Sequence, residues 1–274
     1  EVLGNLCCAC ELLGIEGEGI DRWRGMLARL PKYAVNDDGA IMEWLHPSFK
    51  DNYHHRHQSH IYPLFPGMEI TEETHPELYE ACRVAVEKRL VIGLTSQTGW
   101  SMAHMANIYA RLGMGNRALE CLELLSRSSL GPNLFTYHND WRDMGLTLTW
   151  DNNPPFQIDA NFGIAAAVLE MLAFSKPGLI KLLPALPDAW ATGRVSGIRC
   201  RGGITVGMEW DRAKRGFAAT LTSMTDQNLL LRLPKDLGGV EFRPAATQSV
   251  EHGEGYWNVA LTKDADLTVE ARSS

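Results

Sequence analysis

The sequence predicts an α+β multidomain protein, in which a partial (α/α)6 toroid of helical hairpins is followed by an antiparallel β-sandwich. Over the first two-thirds of the chain, apolar residues recur with the period of amphipathic helices. After Lys176-Pro177-Gly178 the pattern changes to short strands separated by glycine, proline and aspartate turns. We therefore expect two domains, with the helices at 1–177 and the β-sandwich at 178–274.

Six segments of the first region carry the helical pattern, and they come in pairs whose loops gather at one end. One of them has Thr74 where an N-cap is expected and Glu77 three residues later, the signature of a capping box. Such pairs are the building blocks of an α/α toroid, and six helices would form half of one. The predicted helices cover 2–13, 20–30, 74–90, 99–112, 116–125 and 162–174.

Seven short strands are predicted in the last hundred residues. Glycine, proline and aspartate turns separate them at short intervals. This spacing is typical of an antiparallel sandwich. The predicted strands cover 179–183, 195–200, 203–210, 217–222, 228–233, 256–261 and 267–270.

Composition excludes several classes of protein. The 274 residues are 45% hydrophobic and 22% charged, values that are ordinary for a globular domain and too apolar for a disordered chain. A net charge of −7 gives no support to nucleic-acid binding, and no apolar run is long enough to span a membrane. The chain opens at Glu1 inside a predicted helix, so we expect it to be part of a longer protein.

The six cysteines do not predict a metal site or a disulfide scaffold. Cys7, Cys8 and Cys10 resemble a zinc cluster at first sight, but no second pair follows at the required spacing. In a helix, adjacent positions also point apart, so we interpret them as buried thiols. Thiols of this kind weakly favour a reducing compartment, and the sequence leaves a cytoplasmic or a secreted location open.

A polar cluster at 53–60 holds four of the nine histidines and is the first candidate site. Its spacing does not match a helical metal-binding motif, and Arg56 would repel a cation. Arginine beside histidine suits sugar hydroxyls, carboxylates or developing negative charge better. The sequence therefore favours substrate contact, with a structural hydrogen-bond network as the alternative and a metal site as the weakest interpretation.

The second candidate site is the polar stretch 152–163, where Asp159 stands at the entry to an apolar helix. One interpretation is functional; the other is that Asp159 or Asn161 caps the helix. Trp100, at the start of another helix, is a possible platform for a sugar ring. The remaining tryptophans in predicted loops, Trp44, Trp141 and Trp150, are more ordinary as packing residues.

Several of these motifs together resemble glycoside hydrolase family 95. The resemblance follows the family's order over nearly the whole chain. It is carried by MEWL at 42–45, HRHQSHIYPLFPG at 55–67, TGWS at 98–101, ARLG at 110–113, PNLF at 132–135, PPFQIDANFG at 154–163, LLPALP at 182–187 with Trp190, and RGG at 201–203.

The resemblance implies an activity and a set of roles. The family consists mainly of inverting α-L-fucosidases, with a β domain, an (α/α)6 barrel and a C-terminal β domain; this chain would supply the second half of the barrel and the last domain. Asp159 matches the aspartate that makes a catalytic asparagine more basic, and Arg56 and His57 match sugar-binding residues. The general acid and that asparagine would come from the first half, so we expect this chain alone to be inactive.

The same resemblance implies an oligosaccharide or glycan as partner and neither a cofactor nor a metal. Trp100 is a candidate for lining the pocket. The family often has a histidine directly before Pro-Pro-Phe-Gln-Ile-Asp, but Asn153 stands there and about fifteen residues, 139–153, follow His138. Either His138 or Asn153 takes the family position. The alternatives are an α-L-galactosidase or another exo-glycosidase of this scaffold, or a non-catalytic carbohydrate-binding homologue.

Overall fold

A computed structural model describes residues 1–149, 153–235, 237–249 and 251–271. These residues contain six α-helices and ten β-strands. The chain divides into two compact units. The first consists of Glu1–Tyr53 and Gln58–Glu87, and the second of His54–His57 and the chain from Lys88 onwards.

The first unit holds two short helices and most of a third. They are α1 (Val2–Leu12), α2 (Glu18–Ala28) and α3 (Pro76–Gly93), of which α3 runs on into the second unit. α1 buries Cys7 and Cys10, whereas Leu13, predicted to continue the same apolar face, is 73% exposed. An ion pair between Arg24 and Glu11 (2.7 Å) joins α2 to α1.

The capping box predicted for the third helix is wrong. α3 begins at Pro76, a favoured first residue because its missing N–H would have no helical partner. The Thr74 hydroxyl instead donates to the Glu69 carbonyl oxygen and accepts the N–H of Thr71, both at 3.1 Å. Thr74 therefore closes the turn that precedes the helix.

Three helices of the second unit pack closely: α4 (Gly99–Arg111), α5 (Gly115–Ser128) and α6 (Ile158–Leu172). α6 can approach α4 because Gly163 has no side chain; a Cβ there would come within 2.7 Å of the Ala103 Cβ. The Asn107 amide donates to the Gly163 carbonyl oxygen at 3.0 Å. Towards the other end, a largely buried ion pair joins Arg111 to Glu170.

α6 is displaced from its predicted range, because it begins at Ile158 and ends at Leu172. The residues that follow form β1 (Ala173–Lys176), which pairs with β2 (Leu179–Leu182). Gly178, with φ of +78°, makes the tight turn between them possible. The apolar pattern of the helix therefore continues in the sequence beyond Leu172, where the helix ends and the strand begins.

The ten strands form two five-stranded sheets, of order β1-β2-β6-β9-β8 and β3-β4-β5-β10-β7. All seven predicted strands are present, and β1, β7 and β8 are additional. Every pairing is antiparallel except that of β2 with β6, which is parallel. The remaining strands are β3 (Thr192–Cys200), β4 (Ile204–Asp211), β5 (Gly216–Ser223), β6 (Gln227–Arg232), β7 (Val240–Arg243), β8 (Thr247–Gln248), β9 (Tyr256–Leu261) and β10 (Asp266–Ala271).

One apolar core lies between the sheets. Residues alternate along β5 between buried and partly exposed, the pattern of a strand with one face on a core. Val206, Leu221 and Val269 on the second sheet and Leu231 on the first are completely buried in it. Helices followed by two mostly antiparallel sheets give an α+β protein, as predicted. None of the helices in the described part of the chain is long and apolar enough to cross a membrane.

Candidate functional site

The site is built where the long loop after α5 folds back on itself. An isolated antiparallel bridge joins Tyr137 to Phe156. On either side of it, the N–H of His138 donates to the Pro155 carbonyl oxygen and the N–H of Gln157 to that of Thr136, both at 2.9 Å. The two ends of the stretch 139–153 therefore lie side by side, and we call this stretch the excursion.

The first turn of α4 is bonded to both sides of this bridge. The N–H of Gly99 donates to the His138 carbonyl oxygen (3.0 Å), and that of Trp100 to the Gln157 side-chain oxygen (2.8 Å). Gly99 is required here, because a Cβ would lie 2.4 Å from the Tyr137 carbonyl oxygen. The segments that carry Trp100 and His138 are thus tied directly to the start of α6.

Asp159 lies in the first turn of α6, exposed to solvent. Its carboxylate makes no hydrogen bond or ion pair with any residue that the structure describes. The interpretation of Asp159 as a helix cap is wrong, because the N-cap residue is Gln157. A carboxylate in the first turn is favoured by the helix dipole, and this one keeps all its acceptor positions for another partner.

Asn161 does not cap the helix either. Its side-chain oxygen accepts the backbone N–H of Thr136 (3.3 Å), and its amide nitrogen donates to the Leu134 carbonyl oxygen (2.8 Å). Asn161 therefore fastens the segment before the bridge to α6. These hydrogen bonds give Asn161 a structural role, so part of the polar character of 152–163 needs no functional explanation.

The histidine cluster contributes a ring to the same place. The rings of His57 and Trp100 have centroids 5.0 Å apart, and those of His55 and His57 are 4.8 Å apart. Between these histidines, Arg56 is half-buried, and its guanidinium makes no hydrogen bond or ion pair with the described residues. The structure thus brings His57 and Trp100 together and leaves five N–H donors of Arg56 for another partner.

The two candidates for the family histidine differ in their surroundings. His138 is half-buried, and its Nδ1 is hydrogen-bonded to the Asn139 side-chain oxygen. Asn153 is exposed at the other end of the excursion. Which of the two contacts a sugar stays a prediction.

The excursion has its own internal order. The buried Asp140 carboxylate accepts the backbone N–H groups of Arg142 and Leu146, each at 3.2 Å. The Trp141 indole donates to the Leu130 carbonyl oxygen at 3.1 Å. Trp141 is therefore a packing residue, as interpreted from the sequence.

The other loop tryptophans add nothing to this site. Trp44 belongs to the first unit and packs against Phe49, with centroids 5.4 Å apart. Trp150 lies outside the described residues, as does Asn152 of the second polar cluster.

Thiols and metal ligands do not form a second centre in the described part of the chain. Cys7 and Cys10 are buried, whereas the interpretation as a buried thiol is wrong for Cys8, which is exposed; none of the six cysteines, all of which lie in the described ranges, forms a disulfide. Burial raises the pKa of the Cys82 thiol to about 12, which keeps it protonated and unreactive. No group of three or more His, Cys, Asp or Glu residues is placed to hold a metal ion within the described ranges.

Sequence reasoning gave no role to Gln157 or Thr136, which hold the site together. The Thr136 hydroxyl donates to the Gln157 carbonyl oxygen, in addition to the bond between their backbones. One signal was available: glutamine is not among the residues preferred as N-caps, so its position directly before an apolar helix indicates another use for its side chain.

Comparison with known proteins identifies both regions. The model described as Glycosyl hydrolase family 95 catalytic domain matches residues 1–172, and the model described as Glycoside hydrolase family 95, C-terminal domain, matches residues 174–270. Alpha-L-fucosidase 2 of Arabidopsis thaliana is 38% identical over 223 residues, covering 77% of this chain and 24% of that protein. Probable alpha-fucosidase A of Aspergillus oryzae is 32% identical over 209 residues, covering 69% and 27%.

The chain thus spans about a quarter of the length of these curated relatives. Among solved structures, one titled "Glycoside hydrolase" aligns with 73% of this chain and 33% of its own, at 13% identity and a TM-score of 0.30. A GH127 beta-L-arabinofuranosidase from Geobacillus stearothermophilus T6 aligns with 98% and 41%, at 9% identity and a TM-score of 0.28. Similarities this low add nothing about the fold.

Proposed function

The chain belongs to glycoside hydrolase family 95, and on that premise we propose that it is part of an inverting exo-glycosidase that removes terminal α-L-fucosyl residues from glycans. The observation that carries the proposal is the arrangement at the start of α6. There Asp159, whose carboxylate has no partner among the described residues, lies two positions after Gln157; the Gln157 side chain is bonded to Trp100, whose ring packs on His57. The names of the relatives, both α-fucosidases, support fucose as the sugar.

Asp159 supplies the negative charge that helps to activate the attacking water molecule. Inversion requires one group to protonate the leaving oxygen and another to activate a water molecule on the opposite face of the sugar. We assign Asp159 to the activation of water, where it accepts a hydrogen bond from an asparagine outside this chain and makes that asparagine more basic. The general acid also lies outside residues 1–274, so this chain alone is inactive.

Arg56, His57 and Trp100 hold the sugar. The guanidinium of Arg56 has donors for hydroxyl oxygens, and the His57 ring adds a polar edge. The Trp100 indole offers an apolar face to the C–H groups of the sugar ring. His138 or Asn153, at the two ends of the excursion, adds a further hydrogen bond.

The exposed face of α6 supports a longer protein. Ile158, Phe162 and Leu169 follow one another along one stripe of the helix, and Phe162 is 70% exposed. A helix that is apolar nearly all round is normally buried. We assign this stripe to contact with helices of the rest of the polypeptide, which would complete an (α/α)6 toroid from the helices at 1–177, with the sandwich at 178–274 as a separate domain.

The excursion 139–153 favours one second candidate, a change of sugar to α-L-galactose. It starts at His138, and a pocket that hydrogen-bonds one hydroxyl can discriminate strongly between sugars that differ there. A different loop at this point is therefore a route to a different sugar on the same scaffold.

The test uses the full-length protein with aryl α-L-fucoside and aryl α-L-galactoside, and NMR of the first anomer released. We expect turnover with inversion, and we expect Asp159→Asn to lower kcat by about 10²–10⁴-fold with an unchanged melting temperature. The matched control is Asp21→Asn, which removes an exposed carboxylate from the first turn of α2 and leaves kcat unchanged.

Two results would contradict the proposal. Glycan binding without turnover on any aryl α-L-glycoside would make the protein a non-catalytic homologue. A lower melting temperature of Asp159→Asn with full specific activity would give Asp159 a purely structural role.

A further inference from the structure

We propose that Gln157 binds the sugar directly, with its side-chain NH2 group donating a hydrogen bond to a hydroxyl of the terminal glycosyl unit. This inference rests on the proposed function and adds a specificity-determining residue to the same site. The ligand class is a neutral, polyhydroxylated sugar, because an amide NH2 offers only donors and hydroxyl oxygens accept them.

The oxygen of this side chain is committed to the protein. It accepts the backbone N–H of Trp100 at 2.8 Å. A backbone N–H can only donate, so the oxygen of the amide, and not its nitrogen, must face it, and the orientation of the amide is fixed. A Cβ at Gly99 would lie 2.9 Å from the same oxygen, which shows how closely α4 packs on it.

The backbone of Gln157 is also held. Its N–H donates to the Thr136 carbonyl oxygen, and its own carbonyl oxygen accepts the Thr136 hydroxyl. With the side-chain oxygen fixed as well, the NH2 group cannot turn to seek a partner without breaking the bond to Trp100. Residues held in this way present a donor at little entropic cost on binding.

The nitrogen of the amide is unused. Nε2 makes no hydrogen bond with any described residue, although the side chain is half-buried. The residue lies two positions before Asp159 and is bonded to Trp100, so its free donors belong to the site that is to hold the sugar. A tether alone would need only the oxygen.

The decisive variant is Gln157→Glu in the full-length protein. It keeps the shape and an oxygen that can accept the Trp100 N–H, and it replaces the NH2 group by a second oxygen. We expect kcat/KM to fall about 10- to 100-fold, mainly through KM, with an unchanged melting temperature. Gln248→Glu, an exposed position in the sandwich, is the matched control and leaves kcat/KM unchanged.

Deoxy substrates separate direct contact from a general disturbance. Aryl α-L-glycosides that lack one ring hydroxyl at a time are compared in the wild type and in Gln157→Glu. We expect one deoxy sugar to be poor for the wild type and to show almost no further loss in the variant, because its missing hydroxyl is the partner of the NH2 group.

Equal kcat/KM of wild type and Gln157→Glu on every substrate would overturn the inference, as would the same loss on all deoxy sugars. The proposed function fails separately, by absence of turnover in the wild type. In that event the comparison is made on binding of methyl α-L-fucoside by NMR, where equal affinity of the two proteins overturns the role of Gln157.

Discussion

The strand region and the helical region of this chain differ in how they bury their apolar side chains. Of the large hydrophobic side chains exposed among the described residues, only Met224 belongs to the strand region, whereas Leu13, Leu134 and Phe162 are among many in the helical region. The described strands of the sandwich bury most of their large apolar side chains against one another. The helical region carries the candidate site and leaves many large apolar side chains exposed, so the part that carries the candidate site is also the part whose apolar surface is less completely buried.

The largest effect is expected in the core of the sandwich. Leu221→Ala removes a completely buried side chain between the two sheets and should lower the free energy of unfolding by about 2–5 kcal/mol. Urea unfolding of the chain measures the loss. Thr220→Ala, at the neighbouring and partly exposed position of β5, is the control and should cost far less. Equal losses for the two variants would show that the sandwich has no single closed core.

A smaller effect is expected on the exposed stripe of α6. Phe162→Glu should change the free energy of unfolding of this chain by no more than about 0.5 kcal/mol, because the side chain has little to lose. In the full-length protein the same substitution should be strongly destabilising, since a charge would then be buried without a partner. Melting temperatures of both proteins make the comparison, and a neutral result in the full-length protein would refute a buried stripe.

The smallest effect concerns an exposed link between α5 and the strands. The pKa of Asp188 is lowered by hydrogen bonds from Asn116 and Arg212. A carboxyl with a lowered folded-state pKa adds stability above its unfolded pKa of about 3.9 and loses it as the pH falls through the folded value.

As the pH falls from about 5 through the lowered pKa of Asp188, the wild type should therefore lose its small advantage in stability over Asp188→Asn. Thermal melts of both proteins from pH 6 downwards measure it. A difference in melting temperature that stays constant over this range would contradict an ionised Asp188 as its source.

Local sequence patterns predicted the fold of those segments whose secondary structure depends mainly on their own residues. Short runs between glycine, proline and aspartate turns located seven strands, among them β5, along which every second residue is buried. The first sheet strand, β1, was missed because its apolar residues continue the period of α6 without a break. β7 and β8 were missed because their residues are largely exposed and β8 has only two of them. Thr74 shows that a capping signature is overridden when the hydroxyl finds a partner in a turn.

The candidate site was predictable only in its parts. The motifs pointed to Arg56, His57 and Asp159, and the structure adds the contact of His57 with Trp100. The bond between Trp100 and Gln157 joins residues 57 positions apart. Periodicity and capping rules describe neighbours along the chain, so they could indicate that Gln157 has another use but could not identify Trp100 as its partner.

The pairing of His138 with Pro155 also makes this site a modular one. Because the two ends of the excursion are bonded to each other, this bond does not depend on the length of the stretch between them. Doubling the length of such a loop costs only about 0.6 kcal/mol in closure entropy. Exchange of the stretch 139–153, with α4 and α6 as a constant frame, would therefore change the surroundings of the candidate site without replacing the residues that hold it.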